Sequence, residues 1–534
     1  MKLKIQFIFL LLIANCTYLA AQLPTLEWVN TWPHSDYFRA SAYALALDDS
    51  GNAYVTGHIE RDNPVMRGYC TIKYSASGTF QWTANYYGNN TGGRFAFAIA
   101  LDKYSNVYVT GYSLETGNYF DYCTIKYNSS GVQQWVRTYN GPVNGEDEAT
   151  KIAVDNAGNI YVSGYSEISG GGFVYTTIKY SPGGEQLWFR SHSFASGNTH
   201  VTGMVIDDSC NIYITGDCVS AAVTVKYDSS GNEIWSNVYF GNGPLTGAGA
   251  ITKDHQNNII ITGFTKGIPP RNRDFFTIKY TMSGLQLWER IFFYSNFANA
   301  YNFAKSIVTD ISNSIYVSGI TGSIQGGQYR ICTIKYSDSG NLLWVQKDTS
   351  ELGGDIHPFI GIDNDKNIYL TGQTSEPFST SITIFKYSEF GEIIWKQKYY
   401  PGGNSEPYDL KVDNNYNFYI TGYTGIKMLT LKYSQPMGIK QISSNVPEKY
   451  TLYQNYPNPF NHSTNLRFEI MEMRFVKLVI YDMLGREVST PVNEELKPGT
   501  YEIDWSSSDC TSGVYFYKLN TVNYSQTRKM IILK

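Results

Sequence analysis

The sequence is poor in charged residues, in cysteine and in long apolar segments. Only 16% of its 534 residues are charged and the formal net charge is −4, so the sequence lacks the basic excess typical of nucleic-acid binding. After residue 21 no segment is long and apolar enough to cross a membrane, so we expect no membrane span. The polarity comes instead from Tyr, Ser, Thr and Asn, which are typical of strands and turns.

Residues 1–21 form a predicted signal peptide. Two lysines among the first four residues precede an apolar run over residues 5–14, and Ala20-Ala21 provides a small-residue cleavage site. Cys16 leaves a lipid-anchored alternative open. We therefore expect export from the cytoplasm into the periplasm, followed by a secreted or surface location.

A pattern that recurs eight times, up to about residue 434, dominates the rest of the sequence. Each copy has an Asp and a Gly nine residues later, then a Lys-Tyr pair, and seven of the eight copies have a Trp eight residues after that Tyr. Eight copies with one fixed internal spacing indicate a repeat protein. The recurring Asp residues are Asp48, Asp102, Asp155, Asp207, Asp254, Asp310, Asp363 and Asp413.

Each copy predicts four short strands. The turns after the first and third strands keep a constant length, whereas the connections after the second and fourth strands vary. The eighth copy lacks its Trp, but Trp28 precedes Asp48 by 20 residues, the spacing that separates Trp82 from Asp102. The N-terminus therefore supplies the missing strand. We predict an all-β chain whose residues 22–434 form an eight-bladed β-propeller, closed by this N-terminal strand.

The copies also resemble a known family. Residues 155–164, for example, look like the SBBP β-propeller repeat of secreted bacterial proteins, and the resemblance covers residues 22 to about 434. That family is named for seven blades, whereas this chain has eight copies. The resemblance implies no catalytic residues.

A second module follows a predicted linker at residues 435–445. Residues 446–534 contain five strand-like runs and predict a small Ig-like β-sandwich. Three motifs occur in order within it: Tyr-Pro-Asn-Pro-Phe-Asn, a run ending Leu-Gly-Arg-Glu-Val, and Ser-Gly-Val-Tyr. They resemble the type A C-terminal sorting domain of type IX secretion substrates. The motif residues include Pro457, Asn458, Pro459, Phe460, Gly485 and Gly513.

The second resemblance has consequences for location and partners. It implies a Bacteroidetes-like source, the type IX secretion machinery as a partner, passage through the outer membrane and removal of the domain on export. We therefore expect a protein that is secreted or lies on the outer-membrane surface after passing through the periplasm. A plain Ig-like binding domain is the alternative interpretation.

The repeated polar side chains are expected to be architectural. We predict that Lys73 and its seven equivalents pair with an Asp turn or with backbone carbonyls, and that the repeated Trp packs between blades. Calcium at the Asp turns, above all at Asp363, is the alternative, although no bidentate acid closes these loops.

Six of the seven cysteines follow the signal peptide. Cys70, Cys123 and Cys332 occupy equivalent places in three copies, too far apart for a disulfide, and are predicted to be small buried thiols. Cys210 and Cys218 are expected to be free thiols, with a cross-hairpin disulfide as the alternative. The cysteines and histidines lack metal-ligand spacing, so we expect no cofactor.

Two functions remain open at this point. We find no catalytic motif, so we expect a non-catalytic binding scaffold for a carbohydrate or protein ligand. The alternative is an extracellular hydrolase or lyase that acts on polysaccharide or peptide at the variable-loop face. The first function predicts exposed aromatic side chains without clustered acids. The second predicts two or more carboxylates, or a histidine, converging near the axis.

The predicted binding residues are aromatic side chains on the variable connections, because binding residues favour loops on a rigid scaffold. We expect the ligand on the variable-loop face, near the connection between the fifth and sixth blades at residues 292–303. The candidates are Phe120, Phe173, Phe240, Phe293, Phe297, Tyr301 and Tyr400.

Overall fold

The computed structural model describes residues 23–33, 37–62, 65–88, 92–114, 119–193, 199–269, 271–293, 300–323, 328–348, 358–376, 378–435, 439–461, 463–507 and 510–533. Over these ranges the chain forms β-strands and no helix, which confirms the all-β prediction. A helix long and apolar enough to cross a membrane is accordingly not found among them. The predicted signal peptide and Phe297 lie outside the described residues.

The repeat region consists of short strands that run back and forth in sequence order. They are β1 (Thr25–Trp32), β2 (Tyr37–Leu47), β3 (Ala53–Asp62), β4 (Val65–Tyr74), β5 (Phe80–Tyr86), β6 (Arg94–Leu101), β7 (Val107–Ser113), β8 (Asp121–Tyr127), β9 (Gln133–Tyr139), β10 (Asp147–Val154), β11 (Ile160–Glu167), β12 (Phe173–Tyr180), β13 (Gln186–His192), β14 (Thr199–Ile206), β15 (Ile212–Cys218), β16 (Ala221–Tyr227), β17 (Glu233–Tyr239), β18 (Gly247–Lys253), β19 (Ile259–Lys266), β20 (Arg273–Tyr280), β21 (Gln286–Phe292), β22 (Ala300–Thr309), β23 (Ile315–Ser323), β24 (Gln328–Tyr336), β25 (Leu342–Lys347), β26 (Phe359–Ile362), β27 (Ile368–Glu376), β28 (Ser379–Tyr387), β29 (Ile393–Tyr399), β30 (Ser405–Val412), β31 (Phe418–Thr424) and β32 (Lys427–Ser434).

These strands pair in antiparallel groups of four. We number the groups sheet 1 to sheet 7 for β2–β5, β6–β9, β10–β13, β14–β17, β18–β21, β22–β25 and β26–β29. One parallel residue pair, Arg273 with Tyr301, connects sheets 5 and 6 into a continuous eight-stranded sheet. Each group corresponds to one copy of the repeat.

The last group, sheet 8, takes one strand from the other end of the chain. It has the order β1-β32-β31-β30. Strand β1 runs antiparallel to β32, from Thr25 opposite Ser434 to Trp32 opposite Met428. The N-terminal strand therefore pairs with the last repeat, as the spacing of Trp28 predicts.

Each recurring Asp builds the turn between the first and second strands of its sheet. Asp48 Oδ1 accepts hydrogen bonds from the amides of Ser50 (3.0 Å) and Asn52 (2.9 Å). Its Oδ2 accepts from Asn52 Nδ2 (2.8 Å) and from the Tyr54 hydroxyl (3.0 Å). The same bonds recur at Asp207. Because the turn's own donors occupy both carboxylate oxygens, the Asp is explained as architecture rather than as a calcium ligand.

The recurring Lys and Trp bind one backbone carbonyl in the next sheet. Lys179 Nζ (2.8 Å) and Trp188 Nε1 (3.2 Å) both donate to the Ser229 carbonyl. Lys279 instead forms an ion pair with the Asp254 turn at 2.7 Å. The prediction that these lysines pair with carbonyls or with Asp turns is confirmed for seven of the eight, whereas Lys73 lies over the Tyr54 ring at 4.9 Å. The Lys and Trp side chains that donate to the next sheet tie neighbouring sheets together.

The same contacts run from sheet 8 to sheet 1. Lys432 Nζ (2.9 Å) and Trp28 Nε1 (3.1 Å) both donate to the Ala76 carbonyl. The Tyr419 hydroxyl donates to the Gly51 carbonyl at 3.0 Å. The last and first repeats thus meet through the arrangement that joins consecutive repeats elsewhere.

The recurring Gly is required by a bulge in the first strand of its sheet. A Cβ on Gly164 would lie 1.9 Å from the Glu148 carbonyl oxygen. Ala149 pairs with Gly164, Lys151 pairs with the residue before that Gly, and Thr150 is the extra residue between them. Equivalent close approaches occur at Gly57, Gly111, Gly216 and Gly422. The bulge changes which first-strand side chains face outward at this level.

The C-terminal region forms two four-stranded sheets around one apolar core. One sheet has the order β33-β38-β35-β34 and the other β37-β36-β39-β40. Strand β33 lies within the predicted linker at residues 435–445 and pairs with β38. The strands are β33 (Lys440–Ser443), β34 (Thr451–Leu452), β35 (Ser463–Ile470), β36 (Arg474–Tyr481), β37 (Glu487–Leu496), β38 (Gly499–Ser506), β39 (Gly513–Asn520) and β40 (Ser525–Ile532).

The residues of the predicted sorting motifs lie in the core, at the last strand and in a turn of this C-terminal region. Phe460 is 4% exposed, and its amide donates to the Ile531 carbonyl at 3.1 Å. Asn458 Oδ1 accepts from the Ile531 amide at 2.9 Å, so the motif is attached to the last strand. Gly485 has a φ of 78° in the turn between β36 and β37, and Gly513 begins β39.

The cysteines behave as predicted from their positions. Cys70, Cys123 and Cys332 are buried thiols that form no disulfide, and burial raises the pKa of Cys70 to about 12. Cys210 and Cys218 are also free, so the alternative of a cross-hairpin disulfide is wrong for this structure. Cys218 is buried, whereas Cys210 is half-buried.

Candidate functional site

The first strands of five sheets line one cavity of about 540 Å³. Most of its wall consists of small or apolar side chains, so the charged residues in it stand out. Its lining residues include Ala44 and Ala46 from sheet 1, Ala98 from sheet 2, Lys151 from sheet 3, Phe359 from sheet 7, and Tyr408, Asp409 and Lys411 from sheet 8.

Next to the variable connections, the repeats present a cross-strand pair whose residues vary among the copies, although a Tyr–Glu pair occurs twice. The pair consists of the residue after the recurring Gly and its partner on the first strand. The described pairs are His58 with Ser41, Tyr112 with Phe95, Tyr165 with Glu148, Asp217 with His200, Phe264 with Gly247, Ile320 with Phe303, and Tyr423 with Glu406. These are variable positions within an otherwise constant repeat.

Five half-buried rings from sheets 8, 1 and 2 form what we term the aromatic belt: Tyr43, Phe95, Phe97, Tyr112 and Tyr408. The ring centroid of Tyr43 lies 5.3 Å from that of Tyr408 and 5.6 Å from that of Phe97. Tyr112 lies 5.3 Å from Phe95. Burial raises the pKa of Tyr43 to about 12, so its hydroxyl remains a hydrogen-bond donor at neutral pH. The belt combines apolar ring faces with hydroxyl groups, and three of its members line the cavity.

His58 packs beside the belt as a neutral side chain. It is 4% exposed, and its ring centroid lies 4.5 Å from that of Phe95. Burial, with the nearby Arg39 and Arg67, lowers the pKa of His58 to about 4. Its Nδ1 has no hydrogen-bond partner among the described residues. We interpret His58 as an uncharged ring of the site wall.

A polar group from sheets 3 and 4, which we term the acid–histidine group, consists of Glu148, Tyr165, His200 and Asp217. The Tyr165 hydroxyl donates to Glu148 Oε2 at 2.9 Å, and His200 Nδ1 lies 3.5 Å from Asp217 Oδ1. The rings of Tyr165 and His200 meet edge to face at 5.1 Å. Burial raises the pKa of Glu148, and the hydrogen bond to Asp217 raises the pKa of His200. Two carboxylates and a histidine therefore converge here.

A cationic cluster occupies the corresponding place on sheets 5 and 6. The guanidinium carbon of Arg273 lies 4.3 Å from the Phe264 ring centroid and 4.6 Å from that of Tyr301. Lys305 Nζ lies 4.1 Å from the Phe303 ring centroid. Arginine and lysine stacked on aromatic faces are held by cation–π attraction, which stabilises this cluster.

Three of the predicted binding residues join these groups. Phe120 is half-buried and its ring lies 4.2 Å from that of Tyr112 in the aromatic belt. Phe173 is half-buried and lies 5.1 Å from Tyr165. Tyr301 is also half-buried and lies against Arg273.

The other predicted residues lie outside these groups. Phe293 is 44% exposed and is covered on one face by the Arg271 guanidinium at 3.8 Å. Phe240 is 64% exposed, and Tyr400 is 56% exposed with its hydroxyl accepting from Ser379 Oγ at 3.0 Å. As binding residues, all seven candidates remain predictions.

The aromatic belt is absent from the sequence-based candidates because it lies on strands rather than on the long connections. Its members occupy the bulge of a first strand or one of the cross-strand positions beside the recurring Gly. The residue after that Gly varies among the copies: it is Tyr in three of them and His, Asp, Phe, Ile or Gln in the other five. That variation within a constant motif is the signal that would have indicated these positions.

Comparison with known proteins agrees with both resemblances. Residues 134–171 match the SBBP family, described as a β-propeller repeat, and residues 454–533 match the secretion system C-terminal sorting domain. The protein therefore carries an SBBP β-propeller repeat and a C-terminal sorting domain of the type IX secretion system. The sorting domain indicates export to the cell surface or the extracellular space.

A curated relative is the uncharacterized WD repeat-containing protein L264 of Acanthamoeba polyphaga mimivirus, 25% identical over 446 residues. The match covers 66% of this chain and 31% of the relative, so the chain spans about a third of that protein's length.

Similar solved structures include Sqt1 from Chaetomium thermophilum, with a TM-score of 0.48, 8% identity, and coverage of 77% of this chain and all of that one. A polysaccharide lyase of family PL25, an ulvan lyase, has a TM-score of 0.42 and 10% identity over 74% of this chain and 94% of its own. The β-propeller domain of the trilobed protease from Pyrococcus furiosus has a TM-score of 0.38 and 11% identity over 75% and 96%. These weak similarities concern the fold alone.

Proposed function

We propose that this protein is a non-catalytic scaffold, secreted or attached to the outer-membrane surface, that binds carbohydrate at the aromatic belt. The observation that carries this proposal is the convergence of five half-buried aromatic rings beside a cavity of about 540 Å³. Small-molecule sites are concave, mostly apolar and aromatic, with a few polar groups that set orientation. Sugar rings have apolar faces and hydroxyl edges, which suit stacked aromatic rings with phenol groups at their margin.

The proposed architecture supports such a site. We propose that the eight sheets close into an eight-bladed propeller, since sheet 8 contacts sheet 1 through the same Trp, Lys and carbonyl arrangement as other neighbouring sheets. We propose an Ig-like form for the C-terminal domain and a route through the periplasm. A closed ring of rigid sheets would hold the belt in place before a ligand arrives, which lowers the entropic cost of binding.

The test is retention of the full-length protein on extracellular and cell-surface polysaccharides. We expect Phe97→Ala and Tyr408→Ala each to weaken retention about tenfold, because a lost aromatic contact removes about 1.4 kcal/mol. Tyr104→Ala is the matched control, since this 70% exposed ring lies at the constant Asp turn. Retention of both belt variants at the wild-type level would contradict the proposal. Retention that disappears when the cell-surface material is treated with protease would indicate the alternative, a protein ligand.

The acid–histidine group favours a second candidate, an extracellular hydrolase or lyase acting on polysaccharide or peptide. A half-buried Glu148 with a raised pKa is suited to donate a proton, and His200 is suited to exchange one. Hydrolysis would release new reducing ends or peptide amines, and a lyase would release an unsaturated product that absorbs ultraviolet light. Turnover of any of these kinds that Glu148→Gln abolishes, while binding persists, would replace the scaffold proposal with this one.

A further inference from the structure

Lys151 occupies a position that carries a lysine in only one of the eight repeats. It directly follows the first-strand bulge and pairs with the residue before the recurring Gly. The equivalent residues in the other sheets are small, apolar or acidic. They are Ala44, Ala98, Gly203, Ala250, Ser306, Phe359 and Asp409. Lys151 is therefore not one of the architectural lysines of the repeat.

The ammonium group of Lys151 lacks a close partner in the described part of the protein. Its Nζ makes no hydrogen bond and no ion pair there, whereas Lys179 and Lys432 of the repeat each donate to a carbonyl. Lys151 lines the cavity. Lys151 is half-buried, and this burial lowers its pKa; the Asp409 carboxylate opposes that shift and the Lys411 ammonium adds to it. A partly buried ammonium group without a partner is stabilised when an anion joins it.

Asp409 is already neutralised by other groups. Its Oδ2 accepts from the Leu45 amide at 3.0 Å, and its Oδ1 accepts from the Leu410 amide at 2.8 Å. The Lys411 ammonium lies 3.1 Å from the same Oδ1. The charges of Lys411 and Asp409 thus cancel, and the positive charge of Lys151 remains uncompensated. The charged residues that line the cavity sum to one positive charge.

We propose that the cavity takes an anionic saccharide unit whose carboxylate or sulfate group pairs with Lys151. This inference rests on the proposed carbohydrate function and narrows it to acidic polysaccharides. Tyr43, Phe97 and Tyr408 belong to both the belt and the cavity wall, so a sugar stacked on these rings lies beside the space that Lys151 faces. The cavity volume of about 540 Å³ lies within the range of small-molecule sites.

The experiment is calorimetric titration of the full-length protein with three probes: D-glucose, D-glucuronate and D-glucose 6-sulfate. We expect at least one anionic probe to bind ten times or more tightly than glucose, and the preferred anion identifies carboxylate or sulfate as the group. Lys151→Met should abolish this preference. Lys151→Arg should retain it, because the positive charge remains. Lys103→Met, an exposed lysine in a constant turn, is the matched control.

Equal affinity of the wild type for all three probes would overturn the inference, and so would an unchanged preference in Lys151→Met. If Lys151→Met fails to fold, the wild type and Lys151→Arg still test the inference. In both, the preference for the anionic probe over glucose must weaken as the sodium chloride concentration is raised. Loss of binding in the belt variants tests the proposed function separately. Belt-dependent binding of neutral sugar without charge preference would overturn this inference alone.

Discussion

Removal of strand β1 tests how much of the repeat region depends on its N-terminal strand. Trp28 Nε1 donates to Ala76 and Asn30 Nδ2 donates to Gly78 at 2.8 Å, and the Trp28 ring packs on Gly78, where a Cβ would come within 2.4 Å of it. Loss of a packed tryptophan costs about 3 kcal/mol, and each lost hydrogen bond about 1 kcal/mol. We therefore expect deletion of residues 23–32 to lower the free energy of unfolding by about 5 kcal/mol.

The deletion also uncovers the edge of β32. Unpaired amides and carbonyls along that strand provide a template for pairing with a second copy, so we expect self-association in addition to lower stability. Urea unfolding followed by tryptophan fluorescence measures the first effect, and sedimentation velocity measures the second.

The matched control for this deletion is Trp82→Ala. Trp82 Nε1 donates to the Ser129 carbonyl at 3.1 Å, the same contact that Trp28 makes, but its strand remains joined to its own sheet by the chain. The free energy of unfolding of this variant should fall by about 4 kcal/mol, and the variant should stay monomeric. The reasoning would be refuted if deletion of β1 changed neither the unfolding midpoint nor the sedimentation coefficient.

Three further predictions concern the bulge, export and pH. Gly164→Ala should lower the free energy of unfolding in urea by about 2 kcal/mol, because the added Cβ would meet a backbone carbonyl. Gly403→Ala has room for its Cβ and should lower that free energy little. Equal unfolding midpoints for the two variants would contradict this prediction. Truncation after Gln435 should leave a folded repeat region inside the cells. Normal secretion of the truncated protein into the medium would count against a sorting role for the C-terminal domain. The raised pKa of His200 adds stability that is fully present below pH 6.5 and is lost as pH rises through the raised pKa. His200→Gln should therefore reduce the fall of the melting temperature with pH above pH 6.5, and an unchanged slope would exclude this contribution.

The repeat chemistry was predictable because it is local. Asp48 and Asn52 are four residues apart and bond to each other within one turn, so their spacing is visible in the sequence. The turns, the four-strand unit and the pairing of β1 with β32 follow from such spacings and from the position of Trp28. The same holds for the sorting domain, whose motifs are short and occur in order.

The site was not predictable in the same way. The sequence-based expectation pointed to long connections near residues 292–303, where Tyr301 lies against Arg273. The aromatic belt lies instead on strands: Tyr43, Phe97 and Tyr408 occupy the bulge opposite the recurring Gly, and Phe95 and Tyr112 form a cross-strand pair beside it. A bulge depends on pairing between two strands, and the periodicity of one strand does not reveal it.

By itself the sequence determined the repeat, its strands and turns, and the export signal at the C-terminus, because each depends on residues that are neighbours along the chain. Only the tertiary structure decided which variable side chains meet. Lys151 and Asp409 belong to sheets 3 and 8, and they line the same cavity because the first strands of separate sheets pack around it. Such convergence depends on how whole sheets pack against one another, and residue spacing within one repeat does not reveal it.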